Sequence, residues 1–204
     1  SGSPRRRWAV SLVTAGLLFV LPALLQIGRD HRANQRKSAD AGDLLQPLYR
    51  DLAATLRASQ PEGAIIVLAS PNASAGISYF GRFQSLGTLF WENAPGLRAA
   101  AEILCAESDE AAGRKIRARG VTHLVMFSAT PFVGEYFSLL HPTRPVDEAK
   151  RTLGFRLANN PAAAPRWLRP IPYRPPADLA GIGGTVGLFR VVPEQTEDQR
   201  LFHT

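Results

Sequence analysis

The stretch Ala64-Ile65-Ile66-Val67-Leu68-Ala69 decides the fold of this chain. A continuous apolar run of this length, rich in β-branched residues, is typical of a strand that is buried on both faces. Residues 121–127 form a second such run, after a helix that Ser108 can cap and Gly120 can end. A buried strand, then helices, then another buried strand is the order of a βαβ crossover. We therefore predict an α/β domain with three layers and a mostly parallel sheet.

The elements around these two strands follow from periodicity, caps and breakers. Asp43 can cap a helix whose leucines recur at helical spacing, and Pro61-Glu62-Gly63 ends it. In chain order, the other predictions are a loop at 70–78, a strand at 85–91, a helix from Asn93 to about Glu107, helices at 133–140 and about 146–157, extended coil at 161–176 and a closing strand at 185–192. The coil holds six prolines, and its Trp167 and Tyr173 are predicted to pin it to the core.

An uncharged apolar run, Trp8 to Gly28, precedes the folded body and has basic residues on both sides. Its 21 residues are enough helix to cross a hydrocarbon core of roughly 30 Å. The run is longer than the apolar part of a signal peptide and no small-x-small cleavage site follows it, so we predict a transmembrane helix. The predicted organisation is a basic cytoplasmic-side flank or cloning remnant at 1–7, a transmembrane helix at 8–28, a linker at 29–42, a soluble α/β domain at 43–193 and a flexible tail at 194–204.

The net charge of +7 belongs to the flanks of this run rather than to the folded body. Residues 1–37 carry seven Lys/Arg and one acid, whereas residues 38–204 carry seventeen Lys/Arg and sixteen acids. Nucleic-acid binding requires a basic patch on the folded part, so we expect no nucleic-acid partner. The single cysteine, Cys105, excludes an internal disulfide and a cysteine-based zinc site.

The sequence contains no catalytic motif that survives inspection. Its four histidines are scattered, and it has no HExxH, no nucleophile elbow and no Walker A loop. His123 falls in a predicted strand, where a hydrogen-bonded core histidine is the favoured interpretation. Gly181-x-Gly183-Gly184 precedes a strand rather than a helix, so it is interpreted as a turn. We therefore name no catalytic residue, no metal ligand and no cofactor.

Candidate ligand-binding residues come from position in the predicted sheet. In an open α/β sheet, ligands bind beyond the carboxyl ends of the strands. Three loops are predicted there, at 70–78, 91–95 and 128–135. In the middle one, Trp91, Glu92 and Asn93 combine an aromatic ring, a carboxylate and an amide, which together suit a sugar; alternatively, Trp91 is core and Asn93 only caps a helix. The further candidates are Asn72, Ser74, Tyr79, Arg82 and Glu135.

The order of elements over roughly residues 8–130 carries a family resemblance. A predicted span, a linker and an amphipathic helix lead into a strand that ends Leu68-Ala69-Ser70-Pro71. Tyr79-Phe80-Gly81-Arg82, Gly87-Thr88-Leu89-Phe90-Trp91-Glu92-Asn93 and the strand at Arg119–Val125 then follow. This layout resembles the extracytoplasmic C-terminal domain, with the last transmembrane helix, of polytopic GT-C-type membrane glycosyltransferases that use lipid-linked sugars, including oligosaccharyltransferase catalytic subunits.

The resemblance implies an accessory, acceptor-side domain of a larger membrane glycosyltransferase, a domain that is not catalytic by itself. The implied partners are the lipid bilayer, the remaining transmembrane helices of the parent protein and a glycan or peptide acceptor. The abundance of Ala, Arg, Leu and Pro indicates a high-GC bacterial genome. The expected location is therefore a bacterial inner membrane, with the domain facing the periplasm or cell exterior.

One departure from the family limits what is carried over. Oligosaccharyltransferases have a WWDYG-type acceptor motif just after the first strand, where this chain has Ser70-Pro71-Asn72-Ala73-Ser74. Recognition of a glycosylation sequon is therefore not expected. The alternative function, from a different class, is a single-pass membrane-anchored periplasmic interaction or ligand-binding domain without sugar chemistry.

Overall fold

The computed structural model describes residues 45–128, 132–180 and 184–193. These residues all fall in one compact unit, which begins at Leu45. The predicted flank, transmembrane helix, linker and tail lie outside the described residues. Within the described ranges, no helix is both long enough and apolar enough to cross a bilayer.

The described chain alternates helices and strands in its first half and then adds two strands. The helices are α1 (residues 45–59), α2 (Pro71–Gly81), α3 (Ala94–Leu104), α4 (Asp109–Ala118), α5 (Phe132–Leu140) and α6 (Leu153–Asn159). The strands are β1 (Ile66–Leu68), β2 (Gln84–Leu86), β3 (His123–Phe127), β4 (Leu168–Ile171) and β5 (Val186–Val191). Short 3-10 helices cover Trp91–Asn93, Val146–Arg151, Pro161–Ala163 and Ala177–Leu179.

The five strands form one mixed sheet in the order β2-β1-β3-β5-β4. β1 pairs in parallel with β2 and β3, whereas β5 pairs antiparallel with β3 and β4. The prediction of a mostly parallel sheet is therefore wrong for the second half of the chain. A parallel neighbour needs a long crossover, usually helical, and the described part of the connection from β4 to β5 contains only the short 3-10 helix Ala177–Leu179. Consequently β5 returns in the opposite direction, between β3 and β4.

Helices cover both faces of the sheet, as the three-layer prediction requires. Successive residues of β3 alternate between two apolar clusters, so Leu124 and Met126 pack on one face and Val125 and Phe127 on the other. The first cluster takes its helical residues mainly from α3 to α6, and the second takes them from α1 and α2. The leucine stripe of α1 contributes Leu48, Leu52 and Leu56, all fully buried, to the second cluster.

Four local predictions need correction. Residues 70–78 are not a loop but part of α2, because Ser70 takes the N-cap position and Pro71 the first helical position, where proline is favoured. The proline-rich segment contains β4, with Pro170 paired opposite Phe189. β4 is an edge strand, where a missing N–H is tolerated. The predicted helix at 146–157 is divided at Thr152, and the predicted strand at 85–91 covers only Gln84–Leu86.

Candidate functional site

The carboxyl ends of β1, β2 and β3 meet at one edge of the sheet because these strands are parallel. α2 begins just after β1, the loop at residues 87–90 follows β2, and Ser128 follows β3. β5 starts at the same edge, where the Thr185 N–H donates to Ser128 Oγ at 2.9 Å. We call this side of the domain the carboxyl edge. It is the place at which open α/β sheets bind ligands.

Ser74 holds two strand ends together at the carboxyl edge. Its fully buried hydroxyl accepts a hydrogen bond from the Ala69 N–H at 3.1 Å and donates to the Leu86 carbonyl at 3.5 Å. The hydroxyl is therefore used within the fold, between the ends of β1 and β2. Asn72, one residue into α2 from Pro71, is exposed at the same edge.

The loop after β2 runs between a glycine turn and a side-chain hydrogen bond and presents apolar side chains to solvent. Gly87 has φ +83°, and a Cβ there would lie 2.6 Å from the Cβ of Ala100, so only glycine fits without a shift of the backbone. Asn93 Nδ2 donates to Thr88 Oγ1 at 2.9 Å, which closes the loop. Between these fixed points, Leu89 is 63% exposed and Phe90 is 66% exposed.

The three residues predicted as the centre of the site lie directly after this loop. Trp91, Glu92 and Asn93 form a 3-10 turn that leads into α3. Glu92 is exposed, and the side chain of Trp91 lies outside the described part of the structure. Asn93 takes the N-cap position of α3 but makes no side-chain cap hydrogen bond, and its Nδ2 donates to Thr88 Oγ1. The exposed Phe90 is the aromatic group that the sequence analysis did not single out, and no periodic signal marks it.

The other candidates are not gathered at the carboxyl edge. α2 starts at this edge and its 11 residues carry the chain about 16 Å away at 1.5 Å per residue. Tyr79 and Arg82 therefore lie near the opposite edge, where β2 begins at Gln84. Glu135 is exposed in the first turn of α5, on the carboxyl-edge side. Among the described residues, Arg82 and Glu135 form no ion pair with each other.

A groove of about 520 Å³ opens beside the end of β3, between α5, α6 and the 3-10 helix Val146–Arg151. One wall is apolar, and the rim carries an ion pair in which Lys150 Nζ lies 2.7 Å from Asp147 Oδ1. The lining residues are Ser128, Val133, Gly134, Val146, Asp147, Ala149, Lys150, Phe155, Ala158 and Asn159. Sequence reasoning missed this groove because its walls come from three segments with no common motif.

Two titratable groups that sequence reasoning examined, Cys105 and His123, are held inside the fold. Burial raises the pKa of the Cys105 thiol to about 12, so the thiolate needed for nucleophilic attack is not formed near neutral pH. Among the described residues, no group of three or more His, Cys, Asp and Glu side chains is arranged to hold a metal ion.

His123 is the buried histidine that the sequence analysis placed in a strand. It is fully buried at the start of β3, with Nδ1 2.9 Å from Thr122 Oγ1 and Nε2 3.3 Å from Ser59 Oγ. Burial, together with the positive charge of Arg190, lowers its pKa to about 4. The Ser59 hydroxyl donates to the Leu56 carbonyl at 2.7 Å, so its proton is not directed at the imidazole. The pair therefore fits a structural role better than that of a nucleophile and its base.

No protein-family model matches this chain, and no curated protein matches it. Among solved structures, the chain is similar to two crystal structures of the C-terminal globular domain of oligosaccharyltransferase from Archaeoglobus fulgidus. The first is 17% identical with a TM-score of 0.49, and the match covers 65% of this chain and 86% of that chain. The second is 14% identical with a TM-score of 0.48, and the match covers 72% of this chain and 96% of that chain. With TM-scores below 0.5, neither likeness carries a conclusion about activity or substrate.

Proposed function

We propose that this chain is the extracytoplasmic accessory domain of a GT-C-like membrane glycosyltransferase that uses a lipid-linked sugar. In this proposal the domain does not transfer the sugar itself. It presents the carboxyl edge of its sheet to the glycan or peptide acceptor, next to an active site built by the transmembrane helices of the parent protein. The proposed location is a bacterial inner membrane, with the domain on the periplasmic or outer side.

The order of sequence elements supports the membrane part of this proposal. An apolar run long enough to span a bilayer precedes α1, and the segments between β1 and β3 follow the layout of the glycosyltransferase family resemblance. An accessory domain of this kind needs a surface that faces the acceptor.

The exposure of Phe90 on a fixed loop is the observation that carries the acceptor-side role. An aromatic ring stacks on the C–H face of a sugar or on an apolar peptide side chain, and such ring contacts contribute about 0.5–1.5 kcal/mol beyond area burial. Gly87 and the Thr88–Asn93 hydrogen bond fix the loop on both sides of the ring. A ring that is held in place loses less entropy on binding than one on a mobile loop. Glu92 adds an exposed carboxylate beside it.

The test uses the complete gene product, assayed for transfer of a labelled sugar from a lipid-linked donor to an acceptor. Phe90→Ala should lower kcat/KM by about 3- to 10-fold, because it removes one stacking contact. Trp91→Ala tests the neighbouring predicted residue in the same way. The matched control is Leu139→Ala, an apolar side chain that is 76% exposed on α5. Phe90→Ala and its control Leu139→Ala should each unfold at the same temperature as the unchanged protein.

Two results would overturn the proposal. One is a Phe90→Ala protein that folds normally and transfers sugar as well as Leu139→Ala does. The other is a reading frame that starts close to residue 1 and encodes no further hydrophobic span, with no transfer activity in the purified protein. In the second case the anchored interaction domain becomes the better account.

A further inference from the structure

The outer surface of α1 and of the C-terminal end of α2 carries arginines that lie over aromatic rings. The Arg50 guanidinium carbon is 5.0 Å from the centre of the Phe80 ring, and that of Arg57 is 4.8 Å from the centre of the Phe83 ring. Tyr79 is 79% exposed, with its ring centre 5.2 Å from that of Phe80. We call this surface the arginine–aromatic face; its members are Arg50, Arg57, Tyr79, Phe80, Arg82 and Phe83.

Local structure fixes the position of each member of this face. Arg50 and Arg57 are seven residues apart, which places both on one side of α1. Arg82 caps α2 in the left-handed conformation with φ 52°, and this turns the chain back at the helix end. The Phe83 ring then lies on Gly81, where a Cβ would come within 2.2 Å of it. The Phe80 and Phe83 rings therefore lie under the guanidinium groups of Arg50 and Arg57.

The arginines of this face have no carboxylate partner within the described part of the chain, where no ion pair involves Arg50, Arg57 or Arg82. Arg57 Nη1 donates to the Gly63 carbonyl at 3.4 Å. The only carboxylates between residues 45 and 86 are Asp51 and Glu62, and Asp51 accepts a hydrogen bond from the Tyr173 hydroxyl at 2.8 Å.

On the other face of the sheet, two arginines form ion pairs. Arg144 lies 2.7 Å from Glu107 and 2.5 Å from Glu148, and Arg156 pairs with Asp109. Arg144 also lies over a ring, that of Phe137, so the arginine–aromatic face is distinguished by combining ring contacts with arginines that form no ion pair among the described residues.

We propose that the arginine–aromatic face docks on the surface of a bilayer that contains anionic phospholipids. Guanidinium groups bind phosphate oxygens through paired hydrogen bonds. The guanidinium groups of Arg50 and Arg57 are each covered on one side by an aromatic ring. Tyrosine is enriched at the headgroup level of membranes, where its ring is apolar and its hydroxyl is hydrated. An acidic protein surface also satisfies the arginines; the bilayer is favoured because the apolar run at residues 8–28 is predicted to span one.

This docking does not depend on sugar transfer, so it goes beyond the function proposed above. The apolar run at residues 8–28 is predicted to bring the chain to a bilayer. Each surface arginine should favour the docked state about fivefold on an anionic membrane. A docked face would hold the folded body at the bilayer in one orientation instead of leaving it free to rotate.

The experiment measures the distance of one position from lipid headgroups in the full chain. Cys105, the single cysteine, is replaced by alanine, and Tyr79→Cys is labelled with a small fluorophore. The protein is reconstituted in vesicles that carry a headgroup-linked quencher, made of phosphatidylcholine alone or with phosphatidylglycerol. We expect strong quenching only when phosphatidylglycerol is present, and its loss at high salt. The same label at Leu139→Cys, on an exposed helix of the opposite face, should stay unquenched.

A pair of charge-matched variants separates docking from general attraction. Replacing Arg50, Arg57 and Arg82 with glutamine should lower the ratio of docked to undocked protein by about fivefold per arginine. Replacing the exposed Arg114, Arg119 and Arg166 with glutamine removes the same charge elsewhere and should leave the ratio unchanged. Equal effects of the two triple variants, or equal quenching at positions 79 and 139, would overturn the proposal. So would release of the labelled face from vesicles by an acidic polypeptide while lipid composition has no effect, since that result indicates a protein partner.

Discussion

Lowering the pH from about 7 to about 5 should destabilise this domain through one side chain, the buried His123. The imidazole is enclosed at the start of β3 and lies opposite Arg190 of β5 in the antiparallel register. Burial and the charge of Arg190 lower its pKa to about 4, from the usual 6.5. Protonation in the folded state would place a second positive charge beside Arg190 in a site closed to water. The folded protein therefore keeps the histidine neutral over a range in which the unfolded chain does not.

The sign and size of the effect follow from this difference. Because the folded pKa lies below the unfolded one, the unfolded state binds the proton first as the pH falls. Stability is fully present above about pH 6.5, declines below it, and stops declining from this source below about pH 4. With the pKa at about 4 when folded and 6.5 when unfolded, the loss between pH 7 and pH 5 is about 1.8 kcal/mol.

The assay is urea unfolding of the full chain in mild detergent at several pH values. Tryptophan fluorescence reports the transition, because Trp167 is 4% exposed in the folded domain and becomes hydrated on unfolding. Glu102, whose pKa is lowered by Arg98 and Lys115, stays ionised in the folded protein across this window and adds little to the slope there.

The control is His123→Gln, which cannot take up a proton and should show a flat free energy of unfolding over the same window. The comparison uses the change in the free energy of unfolding with pH and not the absolute stability of the variant. A flat profile in the unchanged protein, or the same decline in His123→Gln, would refute the reasoning.

Three further predictions concern positions where the structure offers a matched control. Gly87→Ala should lower the free energy of unfolding by about 1–3 kcal/mol, because it combines a positive φ with a clash at 2.6 Å. Gly134→Ala, which meets its nearest neighbour at an ordinary 3.5 Å, should instead gain up to about 1 kcal/mol in helix α5. Ser108→Ala should cost about 1 kcal/mol, since the Ser108 hydroxyl accepts from the N–H of the third helical residue, while Ser70→Ala removes no cap bond and should cost less; urea titrations compare the two. Cys105 should react with iodoacetamide at neutral pH only after unfolding, because burial raises its pKa to about 12; rapid labelling of the native domain would contradict this.

Local sequence patterns correctly predicted helix α1 and the start of helix α4. Leu48, Leu52 and Leu56 recur at helical spacing, and all three are fully buried on the inner side of α1. Ser108 was read as a helix cap and it caps α4. In each case the pattern lies in residues a few positions apart along the chain, so a single sequence is enough to predict it.

The sequence predicted the edge of the sheet at which candidate residues were sought, but not which residues lie at that edge. The carboxyl edge follows from the order of parallel strands, and Asn72 and Ser74 do lie there. The candidate Tyr79 does not, because the helix found in place of the predicted loop at 70–78 carries it toward the other edge. The prominence of Phe90 depends on the turn at Gly87 and on the Thr88–Asn93 bond, neither of which has a periodic signal.

Patterns of neighbouring residues were enough to predict the buried runs at 64–69 and 121–127, the cap at Ser108 and the apolar run at 8–28. Only the tertiary structure decided that β5 runs antiparallel between β3 and β4. The direction of a strand depends on how its connection crosses the sheet, and the residues of the strand itself carry no record of that path. The same holds for the arginine–aromatic face, since Arg50 and Phe80 are thirty residues apart in the chain and meet only when α1 and α2 pack on one side of the sheet.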